Sequence, residues 1–299
     1  MASSHPAPGP PTVPGPVPGI LTQPVARAHW LMELIAAWGF VQRNYYLTKR
    51  YLGWELVWLA YSTANVMSIG FIGAGVNEVG GGANTQALTT FLLVGALLWS
   101  YLSMLFDILS ETVMWERWEG TIEYTFMSPA SRTTHLLGTG IYAVVYGILR
   151  SVVMLGVIAL FFDLDLSGAN YLGAILVLAV ASISLIGFGL VGSVMPLLSP
   201  EKGVQVTFIY ASVLLLISGV YYPIDVLPGW MQALAVVSPV YYALEGIRAT
   251  LIDGESIGSQ WGNLWPLLVM GVVAIPAGIW IFQAGERFAK RTGRLKRSG

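Results

Sequence analysis

The chain has 299 residues, of which 55% are hydrophobic and only 10% are charged. A soluble domain carries about 25% charged residues, so this composition excludes a soluble fold of ordinary polarity and predicts an integral membrane protein. The net charge of −1 gives no reason to expect a nucleic-acid partner. Because the sequence contains no cysteine, disulfides and thiol nucleophiles are excluded, and no cysteine-based zinc site is expected.

The N-terminal segment, residues 1–27, is rich in proline, glycine, serine and alanine. Its first 24 residues contain eight prolines and lack the apolar core of a signal peptide. Such a stretch has little to bury, so we expect a disordered tail. A proline-rich docking ligand is the alternative.

Residues 28–50 form the next unit, in which apolar side chains recur at helical spacing and Glu33, Gln42 and Arg43 interrupt them. The apolar positions are Trp30, Leu31, Leu34, Ile35, Trp38 and Val41. The pattern predicts an amphipathic helix that lies on the membrane surface and is too polar to cross it. Two roles remain open for this helix. It either anchors the chain to the membrane or acts as a lever between a cytoplasmic partner and the first span.

The membrane domain is expected over residues 51–286, because this region contains several long uncharged runs. A spanning helix needs about 20 largely apolar residues. One further span is interrupted only by Arg150. We therefore predict six transmembrane helices, near 53–75, 87–110, 135–162, 171–198, 204–222 and 263–284.

The segment 226–244 is also uncharged, but Pro228 and Pro239 interrupt it. A full span there would carry two helix breaks. We expect short helices that enter the membrane partway and return, with a seventh span as the weaker alternative.

The distribution of lysine and arginine sets the expected orientation. With six spans and both termini in the cytoplasm, 13 of the 15 basic residues lie inside. The basic tail 287–299 belongs to that side, where it touches anionic lipid or a partner.

The connection between the second and third predicted spans is the densest acidic stretch of the chain. It runs from Glu111 to Pro129, with Gly120 placed to end a first helical piece and Ser128-Pro129 a second. No histidine or aspartate joins its glutamates, which argues against a metal or acid–base site. The pattern favours a surface for docking a soluble protein.

Three motifs in this order carry a resemblance to a known family. E-R-W-E-G-T-I-E at 116–123, continued to Met127-Ser-Pro129, resembles the loop motif of ABC-2 type permeases. The stretch Ile217–Trp230 is similar to the exit of that family's fifth helix. Ser238–Arg248 is similar to the segment that follows it. The resemblance covers about residues 28–290.

The resemblance implies an all-α, type V ABC exporter-like fold with a cytoplasmic coupling helix and an outer re-entrant helical hairpin. It implies a permease dimer, homodimeric or heterodimeric, that binds two copies of an ATPase subunit in a bacterial plasma (inner) membrane. ATP and Mg²⁺ would be bound by that partner. In agreement, the chain has no G-x-x-x-x-G-K-[ST] motif, and we expect no enzymatic activity of its own.

The implied residues fall into two groups. The coupling helix that docks on the ATPase would contain Glu111, Glu116, Arg117, Glu119, Gly120, Thr121, Glu123, Ser128 and Pro129. The outer hairpin would contain Pro223, Pro228, Pro239 and Arg248.

Arg150 lies inside a predicted span, where a charge is costly and faces protein or water. It either contacts a polar substrate group, pairs with Asp107 or Glu111, or reaches toward an interface.

Several aromatic residues either line a substrate path or belong to interfacial belts. The candidates are Trp99, Tyr101, Tyr142, Tyr146, Tyr210, Tyr221 and Tyr222.

Three classes of function remain for a membrane protein with these features. ATP-driven export of a hydrophobic drug-like, lipidic or glycan substrate is favoured. A stand-alone secondary transporter is the alternative, although no internal repeat is visible and Arg150 alone lies at depth. A membrane enzyme is disfavoured because His5, His29 and His135 are dispersed.

Overall fold

The computed structural model describes residues 29–76, 85–162, 164, 166–199 and 201–293, and these contain helices and no strands. The predicted tail 1–27 lies outside the described residues, as do 294–299. A 3₁₀ turn covers Ile224–Val226. The helices are α1 (His29–Arg50), α2 (Leu52–Gly75), α3 (Thr85–Glu119), α4 (Ile122–Met127), α5 (Arg132–Phe161), α6 (Tyr171–Gly192), α7 (Val194–Leu198), α8 (Gly203–Ile217), α9 (Gly229–Ala235), α10 (Pro239–Leu251) and α11 (Trp261–Arg291).

Five stretches of the described chain are long and apolar enough to cross a membrane, one fewer than predicted. They are Leu52–Gly75, Thr85–Glu119, Arg132–Ala159, Tyr171–Leu198 and Trp261–Arg291.

The segment predicted as the fifth span, 204–222, forms the 15-residue helix α8 instead. At 1.5 Å per residue this helix is about 22 Å long, which is shorter than the roughly 30 Å hydrocarbon core. The helix ends where the chain turns at Ser218 and Gly219, whose φ of +68° is a left-handed conformation that favours glycine. Pro223 follows four residues later and prevents the helix from resuming at once.

Helix α3 is longer than predicted and continues through the first half of the acidic connection. Its 35 residues span about 52 Å, so an end of the helix extends past the hydrocarbon core. It stops at Gly120, whose φ is +73°. Helix α4 then ends where Ser128 turns extended before Pro129. The connection therefore has the predicted two-piece form.

The core of the bundle is built around α3, which contacts α2, α5, α6, α7, α8 and α10. Four large side chains on its inner stripe, Leu102, Leu105, Phe106 and Leu109, are at most 1% exposed. Their spacing of three to four residues places them on one helical face. This stripe packs α3 into the core and so fixes the first half of the acidic connection, which α3 contains.

Helices α6 and α11 approach each other closely because glycines lie at their contact. A Cβ on Gly187 would lie 2.5 Å from the carbonyl carbon of Ala274, and a Cβ on Gly278 would lie 2.6 Å from the oxygen of Gly187. Small residues at such positions let helix backbones meet in a membrane. The contact fixes α11 against the centre of the bundle.

Asn170 caps α6, and we expect Asn170→Ala to lower the free energy of unfolding by about 1 kcal/mol. Its side chain accepts from the Gly173 amide at 2.9 Å and donates to the Glu255 carbonyl at 2.9 Å. Thermal unfolding of the purified protein measures the change. Asn170→Ser retains a capping oxygen without placing a carboxylate against the Glu255 carbonyl, so it should lose less, whereas equal losses in the two variants would contradict a capping role.

Candidate docking face and polar contacts between helices

Glu116 joins three helices near the end of α3. Its carboxylate accepts from Nη1 of Arg43 on α1 at 2.6 Å and lies 3.3 Å from Nε2 of His135 on α5. The ring of Phe40 lies 4.5 Å from the His135 ring and covers it. Glu116 is 2% exposed, so its charge is compensated inside this chain.

The neighbouring Arg117 is also directed inward, with 3% of its surface exposed. Its Nη1 donates to the carbonyl of Leu197 in α7 at 2.8 Å. An isolated buried charge is strongly unfavourable, so such contacts are what allow the burial. Glu116 and Arg117 were both predicted as docking residues, but their side chains are not on the surface of this structure.

The outward side of the same connection presents a mixed aromatic and acidic surface, which we call the docking face. Its members are Trp115, Trp118, Glu119, Glu123, Tyr124 and Met127. Trp115 and Trp118 are about half exposed, and their rings meet edge to face at 5.7 Å. Tyr124 and Met127 are each 72% exposed. Large apolar side chains exposed beside charges are typical of interaction sites.

The other predicted docking residues have mixed surroundings. Pro129 is exposed, whereas Glu111, Gly120, Thr121 and Ser128 are half-buried. The hydroxyl of Ser128 donates to the Thr125 carbonyl at 3.0 Å, and that of Thr121 donates to the Glu116 carbonyl at 3.4 Å. These hydroxyls stabilise the turns of the connection.

Arg132, the first residue of α5, connects the docking face to two further elements. Its Nη1 donates to the carbonyl of Thr125 in α4 at 3.2 Å. Its Nε lies 3.4 Å from Oε1 of Glu286 in α11, and Lys290 donates to the same oxygen at 2.6 Å. Together with Glu116 and Arg117, this residue ties the connection to α1, α5, α7 and α11.

Arg150 contacts α2 and makes neither of the ion pairs that its sequence position suggested. It donates to the carbonyl of Trp58 at 3.0 Å and to the hydroxyl of Ser62. Within the described part of the chain, no carboxylate lies within 4 Å of it. The guanidinium is therefore used in a contact between two helices.

Tyr142 and Tyr146 extend this polar contact along α5. The hydroxyl of Tyr146 donates to Oε2 of Glu55 at 2.6 Å, and that of Tyr142 donates to Thr48. The two rings stack with centroids 5.7 Å apart. These two tyrosines lie together, as a common site would require.

The remaining aromatic candidates lie apart from that pair. Tyr101 bonds to Ser182, and Tyr210 lies 6.0 Å from Phe106 between ring centroids. Trp99 and Tyr221 pack against the core, and Tyr222 donates to the Leu216 carbonyl. The structure does not bring the predicted aromatic set together into one path.

The segment predicted as the outer hairpin forms two helices with Arg248 at its inner side. Pro223 and Pro228 precede the 3₁₀ turn and α9, and Pro239 is the first residue of α10. The guanidinium of Arg248 lies 3.5 Å from the ring centroid of Phe91 and donates to the Val220 carbonyl at 3.0 Å.

Two residues that sequence reasoning missed complete this junction. Phe91 supplies the ring beneath Arg248, and Gly95 allows the carbonyl of Val220 to approach, since a Cβ there would lie 2.2 Å from that oxygen. A glycine in the middle of an apolar span is the signal that points to a close backbone approach.

These features define a helical membrane protein whose described residues contain five candidate spans and an exposed aromatic and acidic surface on one interhelical connection. The family model of the ABC-2 type transporter matches residues 40–252. The chain belongs to the ABC-2 type transporter family.

Among curated proteins, the chain is 23% identical over 176 residues to "Probable multidrug ABC transporter permease YbhR" of Escherichia coli (strain K12). That alignment covers 59% of this chain and 47% of the relative, so the chain spans about half the length of that protein. It is 25% identical over 275 residues to "Nodulation protein J" of Rhizobium leguminosarum bv. viciae, covering 85% and 94% of the two chains.

Proposed function

We propose that this chain is the permease subunit of an ABC exporter and that a separate ATPase subunit binds its docking face. The observation that carries the proposal is the difference between the two sides of the acidic connection, residues 111–129. Its inner side, with Glu116 and Arg117, is bonded to neighbouring helices, while its outer side exposes paired indoles and carboxylates. Because the inner side is held by neighbouring helices and the outer side is partly apolar, a partner that binds the outer side could transmit force to the membrane helices.

The contacts behind the docking face support a mechanism of coupling. Movement of α4 by an ATPase would reach α5 and α11 through Arg132, and α1 through Glu116 and Arg43. Rigid connections of this kind convert a small displacement into a shift of packed helices between two arrangements. Closure of the two ATP-bound ATPase subunits would thus move the spans between an inward-facing and an outward-facing arrangement.

The proposed assembly contains two permease copies and two ATPase subunits in a bacterial plasma membrane. The basic residues support a topology with both termini in the cytoplasm. ATP and Mg²⁺ would be held by the ATPase subunits. A hydrophobic drug-like or lipidic substrate is favoured, and the word "multidrug" in the name of one relative supports this class.

Trp118→Ala should weaken binding of the ATPase subunit at least about tenfold, because buried tryptophans dominate the energy of protein interfaces. The tagged permease is co-expressed, one at a time, with those ABC ATPase subunits of the source organism that have no membrane domain of their own. We would measure the binding affinity of the pair that co-elutes and the rate of ATP hydrolysis that the permease stimulates.

Trp265→Ala is the matched control for this measurement, since Trp265 is also 50% exposed but lies on α11. Affinity that falls equally in the two variants would argue against the docking face. Transport by the purified chain alone in vesicles under an ion gradient would instead favour a secondary transporter.

A further inference from the structure

A cleft of about 400 Å³ lies between α3, α5, α6 and α10, and its lining includes neither the docking face nor the Arg150 contacts. Its walls are almost entirely apolar and include Leu98, Leu155, Ala174 and Ile247. Two lining residues, Val152 on α5 and Ile175 on α6, are exposed, so the cleft opens to the outside of the bundle between these two helices. In a membrane this opening faces the hydrocarbon.

One polar side chain in this cleft has no partner among the described residues. Ser151 lines the cavity, is only 6% exposed, and makes no hydrogen bond with the described part of the chain. Other helical serines in the bundle donate to the carbonyl four residues earlier, as Ser62 and Ser110 do. The other hydroxyls in the lining already have partners, since Tyr101 is bonded to Ser182 and Tyr171 donates to the Leu166 carbonyl.

A hydroxyl that faces an apolar cleft without a partner is unfavourable, because the hydrocarbon offers it no water. The cavity is also large enough for a ligand, since small-molecule sites measure about 300–1,000 Å³. Much smaller apolar cavities, of about 150 Å³, stay dry and bind apolar guests. The size of the cleft, its apolar walls and its one free hydroxyl thus indicate a largely apolar ligand with one polar group.

We propose that this cleft binds an elongated apolar molecule with a single hydroxyl or carbonyl group, which enters from the bilayer and hydrogen-bonds to Ser151. The apolar part lies along α5 and α6, where Gly156 leaves the wall open because nothing lies within 4 Å of its Cβ position. The site is formed by this chain alone, so it stands or falls independently of the proposed ATPase partnership.

Photolabelling of the full chain in lipid nanodiscs tests the site. The probes are dodecanol with a diazirine on its chain and the matching alkane without the hydroxyl. We expect saturable labelling of peptides from α5 and α6, displaced by unlabelled dodecanol. Ser151→Ala should weaken dodecanol binding about fivefold, the worth of one hydrogen bond, and leave the alkane unchanged.

Gly156→Leu should abolish specific labelling by filling the cleft without displacing its neighbours. Gly262→Leu is the matched control, since its Cβ position on α11 is equally open. Labelling that does not saturate, or that survives Gly156→Leu, would show partition into bulk lipid and overturn the proposal. Equal losses for alcohol and alkane in Ser151→Ala would remove the role of the hydroxyl.

Discussion

Replacing Glu116 by alanine should lower the free energy of unfolding by about 2–3 kcal/mol. The carboxylate is 2% exposed and bonds to Arg43, with His135 beside it. Hydrogen bonds to charged groups contribute about 1.5–3 kcal/mol each. Removing one member of a fully buried pair costs about 3–5 kcal/mol. Here the loss is smaller, because Arg43 is 38% exposed and can turn to water. Thermal unfolding in detergent measures the loss.

The neighbouring Glu119 provides the control for this measurement. It is exposed and belongs to the docking face, so Glu119→Ala should change the free energy of unfolding by no more than about 0.5 kcal/mol. A Glu116→Ala variant that is as stable as the parent would show that the contacts with Arg43 and His135 are dispensable. Loss of ATPase stimulation in that variant would then report docking rather than folding.

The sequence predicted the form of the acidic connection but not the direction of its side chains. Gly120 and Ser128-Pro129 end the two helical pieces, because a positive φ and a proline act on the local backbone. Whether Glu116 points outward depends on the partners that α1 and α5 bring to it. Those partners, Arg43 and His135, lie far from Glu116 in the chain, and no local pattern contains them.

One of the six predicted spans is not confirmed, for a related reason. Charge-free length predicts where a helix is allowed in a membrane, and it placed the five longer helices within a few residues except at the C-terminal ends of α3 and α11. In the segment 204–222 the uncharged run continues past the end of α8, since Ser218 and Gly219 turn the chain without any charge. Hydropathy does not register a turn made of neutral residues.

For Arg150, the position in a predicted span did not identify the groups that it contacts. Its position inside an apolar run left three roles open: a contact with a polar substrate group, a pair with Asp107 or Glu111, or a reach toward an interface. The structure supplies a carbonyl and a hydroxyl from α2. Neutral acceptors are abundant on every helix, so the type of charge alone does not identify which one is used.

Gly95→Ala should lower the free energy of unfolding by about 3 kcal/mol, a large effect for the addition of one methyl group. A Cβ at this position would lie 2.2 Å from the carbonyl oxygen of Val220 and 3.3 Å from Nη2 of Arg248. Backbone cannot yield as a flexible side chain does, so the turn after α8 must move away from α3. That movement would also break the bond from Arg248 to Val220.

The matched control is Gly39→Ala in α1, where no atom lies within 4 Å of the new Cβ. Alanine there should be neutral or stabilising by about 0.5–1 kcal/mol, because glycine is unfavourable inside a helix. Thermal unfolding of both variants measures the difference. If Gly95→Ala unfolds at the temperature of Gly39→Ala, the turn after α8 is free to shift and Arg248 does not hold it against α3.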